Sequence, residues 1–146
     1  MKQIRMANER DLERIAEIEV FNYRLNFYPI FRCDEFYFDE LTVSAKTAEY
    51  RDLLESFFVY DDGVVKGFIR VVGNEVKKLF VEPVLQGQGI GAALLEYAMA
   101  ELNVQSLWEL EKNVRAIAFY QRHGFTVTPE KRLEEETTEY LVRLER

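Results

Sequence analysis

The sequence predicts an α/β fold of the mixed α+β kind, with a mostly antiparallel central sheet and helices on both faces. Tight-turn residues, Asp61-Asp62-Gly63 and Gly73-Asn74, separate three strand-like segments, which is typical of an antiparallel meander. A strand–helix–strand pattern then spans residues 75–110 and indicates a crossover that adds a parallel strand. We expect residues 1–146 to form a single domain, since 146 residues suit one hydrophobic core.

The first part of the chain is predicted to form a strand followed by two helices. We expect the strand over Lys2 to Met6 and a first helix capped by Asn8, with Asp11 three residues further on to complete the cap. Pro29 breaks any helix through the aromatic segment that follows. A second helix is predicted over residues 44–54, before the meander begins.

The second part of the chain carries six more predicted strands and two more helices. The strands are expected over residues 56–60, 64–72, 75–81, 106–110, 125–128 and 138–144. The helices are expected between Ile90 and Leu102 and from Val114 to His123, where Gly124 stops the last one. The polar stretch 129–136 is predicted to be a loop. The predicted element order is therefore β-α-α-β-β-β-α-β-α-β-β.

The charge balance disfavours nucleic acid as a partner. The chain has 19 basic and 26 acidic residues, a net charge of −7, and no block of basic residues. A nucleic-acid-binding protein needs a basic patch or stripe, so we expect no nucleic acid partner. An acidic surface attracts cations, which is compatible with a cationic substrate.

Cysteine content, histidine content and hydropathy exclude further classes. The chain has one cysteine, Cys33, so it cannot form an internal disulfide, and we expect a reducing, cytoplasmic location. With one histidine, His123, besides this cysteine, it lacks the ligands of a zinc site, so we expect no metal. The sequence has no apolar run near the ~18 residues of a membrane span. Its N-terminal residues lack the apolar segment of a signal peptide. We therefore expect no membrane association.

A glycine cluster, Gln86-Gly-Gln-Gly-Ile-Gly91, stands between a predicted strand and a predicted helix, which is an arrangement that binds phosphate. A Walker A loop is excluded because Ala92-Ala93 follow where Lys-Ser/Thr is needed. A dinucleotide fingerprint, which would indicate an oxidoreductase, fits Gly87, Gly89 and Ala92. However, that fingerprint opens the first β-α unit of its fold, whereas several elements precede this one.

The same residues resemble a different signature. Gln86-x-x-Gly89-x-Gly91, with Leu79-Phe-Val-Glu-Pro83 before it and Ala92-Ala-Leu-Leu95 after it, resembles the acyl-coenzyme A signature of the GNAT superfamily of acetyl-CoA-dependent N-acetyltransferases. The segment 107–125, with its Asn113 and Phe119-Tyr120, resembles the second conserved block of that superfamily. The resemblance implies an enzyme that moves an acetyl group from acetyl-CoA directly to a primary amine in a ternary complex. The alternative is a sensor domain that binds acyl-CoA without catalysis.

The resemblance also implies where the donor binds. The parallel strands 75–81 and 106–110 would splay apart, and the pantetheine arm would lie in the gap. The residues expected to bind the cofactor are Leu79, Phe80, Val81, Gln86, Gly87, Gln88, Gly89, Ile90, Gly91 and Asn113. Many members of the superfamily carry Arg or Lys at the positions of Gln86 and Gln88, so local positive charge must come from elsewhere. The nearby candidates are Lys77, Lys78, Lys112, Arg115 and Arg122.

The expected catalytic residues are Tyr120 and Glu75. Tyr120 matches the usual general acid that protonates the leaving thiolate, although helical spacing alone would favour a core tyrosine. The amide of Phe80 or Val81 is expected to stabilise the charge on the thioester oxygen. Glu75 matches a glutamate base of several members, and a solvated residue beside the turn is the alternative.

Other carboxylates compete with Glu75 for the role of base. Glu109 and Glu111 alternate on the other splayed strand, and Glu82 is a weaker candidate.

The acceptor is the least defined part. The segment 21–40 joins aromatic residues to the acidic run Asp34–Glu40, and in the superfamily the corresponding region lines the acceptor pocket. A small-molecule or peptide amine is expected there, with a small cationic amine slightly preferred because of ion pairing and cation–π contact. The alternative places the aromatic rings in the core and the acids in water. A homodimer through the aromatic or C-terminal strands is possible on the sequence.

Overall fold

A computed structural model describes residues 3–146 of the chain. The strands are β1 (Ile4–Met6), β2 (Phe57–Asp61), β3 (Val65–Val72), β4 (Glu75–Val81), β5 (Ser106–Leu110), β6 (Thr126–Leu133) and β7 (Tyr140–Glu145). The α-helices are α1 (Leu12–Asn26), α2 (Tyr28–Phe31), α3 (Val43–Tyr50), α4 (Ile90–Glu101) and α5 (Val114–Arg122). Tighter or wider helical turns cover Glu9–Asp11, Glu35–Glu40, Arg51–Ser56 and Pro83–Leu85.

The seven strands form one sheet in the order β1-β2-β3-β4-β5-β7-β6. All neighbouring strands run antiparallel except β4 and β5, which are parallel. The predicted fold class, a mostly antiparallel mixed sheet with one parallel pair, is therefore confirmed, and so is the order of its strands and major helices.

Alternation along the strands supplies a core on each face of the sheet. Phe57 and Val59 of β2 lie with buried residues of α1 and with Tyr50, which ends α3. Phe58, between them, lies in the opposite cluster with Leu94 and Leu95 of α4. Successive side chains of a strand point to opposite faces, so one strand can hold helices on both sides.

Most predicted boundaries lie within one or two residues of the observed ones, with one clear error. Asn8 and Asp11 form the expected capping box, which opens a short turn ahead of α1. The predicted loop 129–136 is wrong, because β6 continues to Leu133 and pairs with β7. Its polar sequence and its Pro129 suit an exposed edge strand, which lacks a partner on one side.

Two N-terminal residues, Met1 and Lys2, lie outside the described residues. The first predicted strand is therefore confirmed only for Ile4–Met6. In the part of the chain that the structure describes, no helix combines the length and the apolar character needed to cross a bilayer.

A β-bulge separates β4 from β5. On the β3 side, Arg70 pairs with Lys78 while Val71 pairs with Val76, so Lys77 is an extra residue on β4. On the β5 side, pairing covers only Glu75 with Ser106 and Val76 with Leu107. Because a bulge bends and twists its strand, the two parallel strands diverge after this point.

Gly67 lets the end of β4 approach α4. A Cβ atom on Gly67 would lie 3.0 Å from the Phe80 carbonyl oxygen and 3.2 Å from both Ile90 Cγ2 and Leu94 Cδ1. We expect Gly67→Ala to lower the free energy of unfolding by about 1–3 kcal/mol, as overpacking does. Urea unfolding measures the change.

Gly91→Ala is the matched control for Gly67→Ala. A Cβ atom on Gly91 would lie 3.6 Å from Val81 Cγ2, an ordinary contact distance, and Gly91 is helical. Its free energy of unfolding should stay equal or rise, because alanine favours helix over glycine. Equal stability of the Gly67→Ala variant and the wild type would contradict the close approach.

Candidate active site

The gap between β4 and β5 opens into a cleft of about 1510 Å³. One end of the cleft is lined by residues of the glycine loop 86–92 and the start of α4. Its middle is lined by β4, β5 and α5, and its other end by α1, α2, the turn at 33–40 and the segment 134–139. The cleft therefore connects the predicted cofactor region with the predicted acceptor region.

The edge of β4 presents main-chain groups to this cleft. The Glu82 amide donates to the Lys66 carbonyl at 2.9 Å, and the same register gives the main-chain groups of Phe80 to β3. Leu79 and Val81 alternate with Phe80, so their main-chain groups point towards the cleft. All three line the cleft. Among the expected main-chain donors, the register thus favours Leu79 and Val81, whereas Phe80 contributes its ring.

The glycine loop exposes amides at the N-terminus of α4. Gly87 and Gly89 both have φ of +82°, a left-handed conformation that disfavours other residues. Gly89 is the N-cap residue and has no side chain, so the first amides of α4 receive no side-chain cap. The cleft lining includes Gln86, Gly87, Gly89, Ile90 and Gly91 but not Gln88. Uncapped amides at a helix N-terminus suit an anion.

Gln86 points away from the loop and towards α1. Its side-chain amide donates to Asn22 Oδ1 at 3.1 Å. Asn22 is buried and donates through Nδ2 to the carbonyl oxygens of Ile18 and Val81, at 2.8 and 2.9 Å. One asparagine of α1 therefore fixes both the end of β4 and the beginning of the glycine loop. Sequence reasoning missed Asn22.

The nearby cations fall into two groups. Lys77, Lys78 and Lys112 form ion pairs with carboxylates of this chain. Arg115 and Arg122 are exposed, line the cleft and form no ion pair within residues 3–146. Among these five candidates, the two arginines are the cations without an ion pair in that range.

Asn113 and Tyr120 lie at opposite ends of α5. Asn113 is the N-cap residue, and its Oδ1 accepts from the Ala116 amide at 3.4 Å. Tyr120 lines the cleft, with its ring packed edge-on against Phe119 and Phe125. Burial raises the pKa of Tyr120 well above its ordinary value, and the nearby Glu109 carboxylate adds to the rise. The phenol therefore stays protonated at neutral pH.

Glu109 is the carboxylate that faces Tyr120 from β5. Its Oε2 accepts from the Leu110 amide at 3.0 Å and from Asn113 Nδ2 at 3.3 Å. Burial raises the pKa of Glu109 to about 7, although both hydrogen bonds oppose the rise. A carboxylate with this pKa can gain or lose a proton near neutral pH.

The other candidate carboxylates lie elsewhere. Glu75 lies at the paired end of β4 and β5, forms an ion pair with Lys77 at 2.7 Å, and is not among the residues that line the cleft. Glu111 pairs with Lys131, and Glu82 pairs with Arg14. The structure therefore brings Glu109, and not Glu75, together with Tyr120.

The acceptor end of the cleft combines aromatic and charged residues. Tyr23, Phe27 and Phe80 form a cluster of edge-on rings with centroids 4.9 to 6.5 Å apart. Of the four carboxylates in the run 34–40, Glu40 lines the cleft. The segment 134–139 also lines it, a contribution that was missed because residues 134–136 were expected to be only a loop and residues 138–139 only the start of the last strand.

Comparison with known proteins assigns this arrangement to a family. A family model described as acetyltransferase (GNAT) domain matches residues 54–127. An uncharacterised N-acetyltransferase from Archaeoglobus fulgidus is 34% identical over 130 residues, which cover 81% of this chain and 88% of that protein. The chain belongs to the GNAT family. The resemblance inferred from the glycine cluster is confirmed.

Further relatives of this GNAT chain match over shorter lengths or show the fold. The peptidyl-lysine N-acetyltransferase YjaB of Salmonella typhimurium is 32% identical over 93 residues, which span 58% of this chain and 64% of that protein. An N-acetyltransferase structure from Staphylococcus aureus Mu50 has a TM-score of 0.78 at 15% identity and covers 98% of this chain and 99% of that chain. A coenzyme A complex of PaiA N-acetyltransferase from Thermoplasma acidophilum has a TM-score of 0.69 at 19% identity, with both chains fully covered.

The raised pKa of Glu109 predicts a pH-dependent cost of burial. In the folded chain the Glu109 carboxyl keeps its proton up to about pH 7, whereas in the unfolded chain it loses the proton near its ordinary pKa of 4.5. Stability from this group is thus fully present below pH 4.5 and is lost as the pH rises to about 7. Glu109→Gln should gain about 2 kcal/mol relative to wild type between about pH 5 and about pH 8, after allowance for partial exposure. Urea unfolding across that range measures it.

Glu111→Gln is the control for this pH dependence, because Glu111 is exposed and lies outside the cleft. Its stability relative to wild type should not change over the same range. If the difference in free energy of unfolding between Glu109→Gln and wild type is also independent of pH, Glu109 does not have the raised pKa.

Proposed function

We propose that this GNAT chain is an N-acetyltransferase that moves an acetyl group from acetyl-CoA to a primary amine by direct attack in a ternary complex. The observation that carries the proposal is one cleft that holds an open strand edge, uncapped helix amides, a carboxylate with a pKa near 7 and a protonated phenol. The first two suit a pantetheine diphosphate, and the last two suit proton transfer at a thioester and an amine.

The residues of this chain fit acetyl-CoA, which would supply the acetyl group as a reactive thioester. The open main-chain groups of Leu79 can bind amides of the pantetheine arm as an added strand would. Amides from Gln86 to Gly91 can bind the diphosphate at the α4 N-terminus. Arg115 and Arg122 can add positive charge near the diphosphate, which is needed because the chain has a net charge of −7.

Glu109 is proposed as the general base in place of Glu75. An amine with a pKa of about 10.4 is almost entirely protonated at neutral pH and must lose a proton before it can attack. A base is most effective when its pKa lies near the working pH, which the pKa of about 7 satisfies. Glu109 also lies in the cleft, whereas Glu75 does not.

Val81 and Tyr120 are proposed to act on the other atoms of the thioester. The Val81 amide can donate to the carbonyl oxygen as negative charge develops there, because Asn22 occupies only the Val81 carbonyl. The Tyr120 hydroxyl can donate a proton to the departing sulfur. Its raised pKa keeps that proton in place until sulfur becomes basic.

The acceptor is proposed to be an amine of a small molecule or of a peptide. The YjaB relative is named a peptidyl-lysine N-acetyltransferase, which supports a primary amine as the acceptor class. The acidic segment 134–139 and the aromatic residues of α1 at the end of the cleft favour a positively charged amine group.

Coenzyme A binding tests the proposed phosphate site. We expect Gly89→Val to weaken coenzyme A binding at least about 100-fold, because a side chain would project where the diphosphate approaches and would strain the backbone. Isothermal titration calorimetry measures the dissociation constant.

Gly73→Val controls for backbone strain, since Gly73 also has a positive φ, +61°, but lies in the β3–β4 turn. It should bind coenzyme A as wild type does. Wild-type affinity in Gly89→Val would contradict the proposed phosphate site.

The pH–rate profile tests the proposed base and acid. In wild type, kcat/KM should rise with pH through an apparent pKa of about 7, because Glu109 must be deprotonated to act as a base. The pH profile of Glu109→Gln should lack the bend at this pKa, and its kcat/KM should be about 100-fold lower than that of wild type. Tyr120→Phe should lower kcat about 100-fold without changing the coenzyme A dissociation constant. Thiol release from acetyl-CoA with an amine panel is the assay.

Glu75→Gln is the matched control, and it should keep both the bend and the rate. A bend that persists in Glu109→Gln, or disappears in Glu75→Gln, would assign the base to another residue. Coenzyme A binding without thiol release for any amine would identify a sensor instead of an enzyme.

A further inference from the structure

A buried carboxylate binds two lysines at the acceptor end of the cleft. Glu19 of α1 is fully buried, and both Lys78 Nζ and Lys46 Nζ contact its Oε2, at 2.9 and 3.2 Å. The Tyr50 hydroxyl bridges the two Glu19 oxygens at 2.7 and 2.9 Å. These contacts join α1, the α3 segment and β4, and sequence reasoning did not identify them.

The two ammonium groups are not fully used by the protein. Lys78 also donates to the Tyr23 hydroxyl at 3.1 Å, and Lys46 also contacts Glu49 at 2.9 Å. An ammonium group has three donors, so each lysine retains one after its two contacts within residues 3–146. Both lysines line the cleft, and each side chain is 18% exposed. Two ammonium groups, each with one donor not used within residues 3–146, therefore line the same cleft.

These donors lie close to the proposed reaction centre. Tyr23 packs against the ring of Phe80, next to Lys78 and Leu79 on β4. Burial raises the pKa of Tyr23, and the carboxylates of Glu19, Glu134 and Glu109 add to the rise while Lys46 opposes it. The phenol of Tyr23 thus contacts Lys78 and lies within electrostatic range of Lys46 and Glu109.

We propose that the acceptor is a small amine that also carries a carboxylate, and that Lys46 and Lys78 bind this carboxylate. The inference rests on the proposed acetyl transfer and names the substrate class of the same site. Two single N–H donors match the two oxygens of one carboxylate group. The amine of such an acceptor then lies on the side of Glu109 and Glu134, where negative charge attracts its protonated form.

Two series of amines test the proposal. One consists of ω-amino carboxylates from 4-aminobutyrate to 6-aminohexanoate, and the other consists of n-alkylamines of the same chain length. In wild type, kcat/KM should be at least about tenfold higher for the carboxylates, because charge-assisted hydrogen bonds bind only them. In Lys78→Met, the ratio of kcat/KM for carboxylate over alkylamine should fall about tenfold or more.

Lys46→Met is the second variant, and it should lower the same ratio. Each single substitution leaves Glu19 one lysine partner, so we expect the fold to be retained, and thermal melting tests this. Lys66→Met is the matched control, because Lys66 pairs with Asp62 at 2.8 Å and does not line the cleft. It should leave the ratio unchanged.

Three results would overturn the proposal. Equal kcat/KM for the two series in wild type removes the carboxylate site but leaves acetyl transfer intact. A lysine-containing peptide that reacts faster than every ω-amino carboxylate replaces the small acceptor with a macromolecular one. A protein that binds coenzyme A but releases no thiol with any acceptor refutes both this inference and the proposed function.

Discussion

The interrupted ladder between β4 and β5 is the constraint on which the site depends. The extra residue Lys77 ends the parallel pairing after Val76, and Leu79 and Val81 are left without partners from β5. Asn22 binds the Val81 carbonyl, but the Val81 amide and the main-chain groups of Leu79 remain. A main-chain group without a partner costs about 1–3 kcal/mol, so water or a ligand must bind them. The gap is thus a binding site because of the same bulge that prevents the sheet from closing.

The bulge also determines which side chains of β4 face α4 and which face α1. Val76 and Leu79 both pack with the α4 cluster although they are three positions apart, because the extra residue reverses the alternation. Lys78 and Phe80 consequently face α1, where Lys78 meets Glu19 and Phe80 meets Tyr23. One inserted residue therefore leaves the main-chain edge of β4 open towards the gap and turns the side chains of Lys78 and Phe80 towards α1.

Helix α1 connects the two halves of the cleft. Glu19, Asn22 and Tyr23 are spaced as residues i, i+3 and i+4, so they share one face of the helix. Asn22 holds Val81 and Gln86, while Glu19 and Tyr23 hold Lys78. A shift of α1 on filling of the acceptor end would therefore act directly on the end of β4.

Much of this fold could be predicted from the sequence because its signals are local. The limits of β4 and β5 were predicted to the residue, since turn residues and apolar runs bound both strands. The last hairpin was predicted less well. Exposure on an edge strand gives a polar sequence that resembles a loop, as residues 129–133 show.

The site was predicted less completely because it depends on which side chains converge. Position along β4 favoured Glu75 as the base, but the bulge at Lys77 leaves Glu75 at the paired end and outside the cleft. Glu109 and Glu111 could not be separated by alternation, since both fall on the same face, and the structure is needed to show that Glu111 pairs with Lys131 outside the cleft. The sequence did contain a signal for Glu19, which is a carboxylate among the buried apolar positions of α1.

The energetics of the two buried carboxylates favour a functional origin. A buried ion pair is seldom better for stability than apolar residues of the same volume, because removing charges from water costs several kcal/mol. Glu19 with its lysines and Glu109 with its raised pKa both carry this cost, and Lys78, Lys46 and Glu109 all line the cleft. An apolar residue at either position would give a more stable cleft wall but would remove the charge that a bipolar acceptor requires. The placement of these two carboxylates follows more directly from binding and proton transfer than from the stability of the fold.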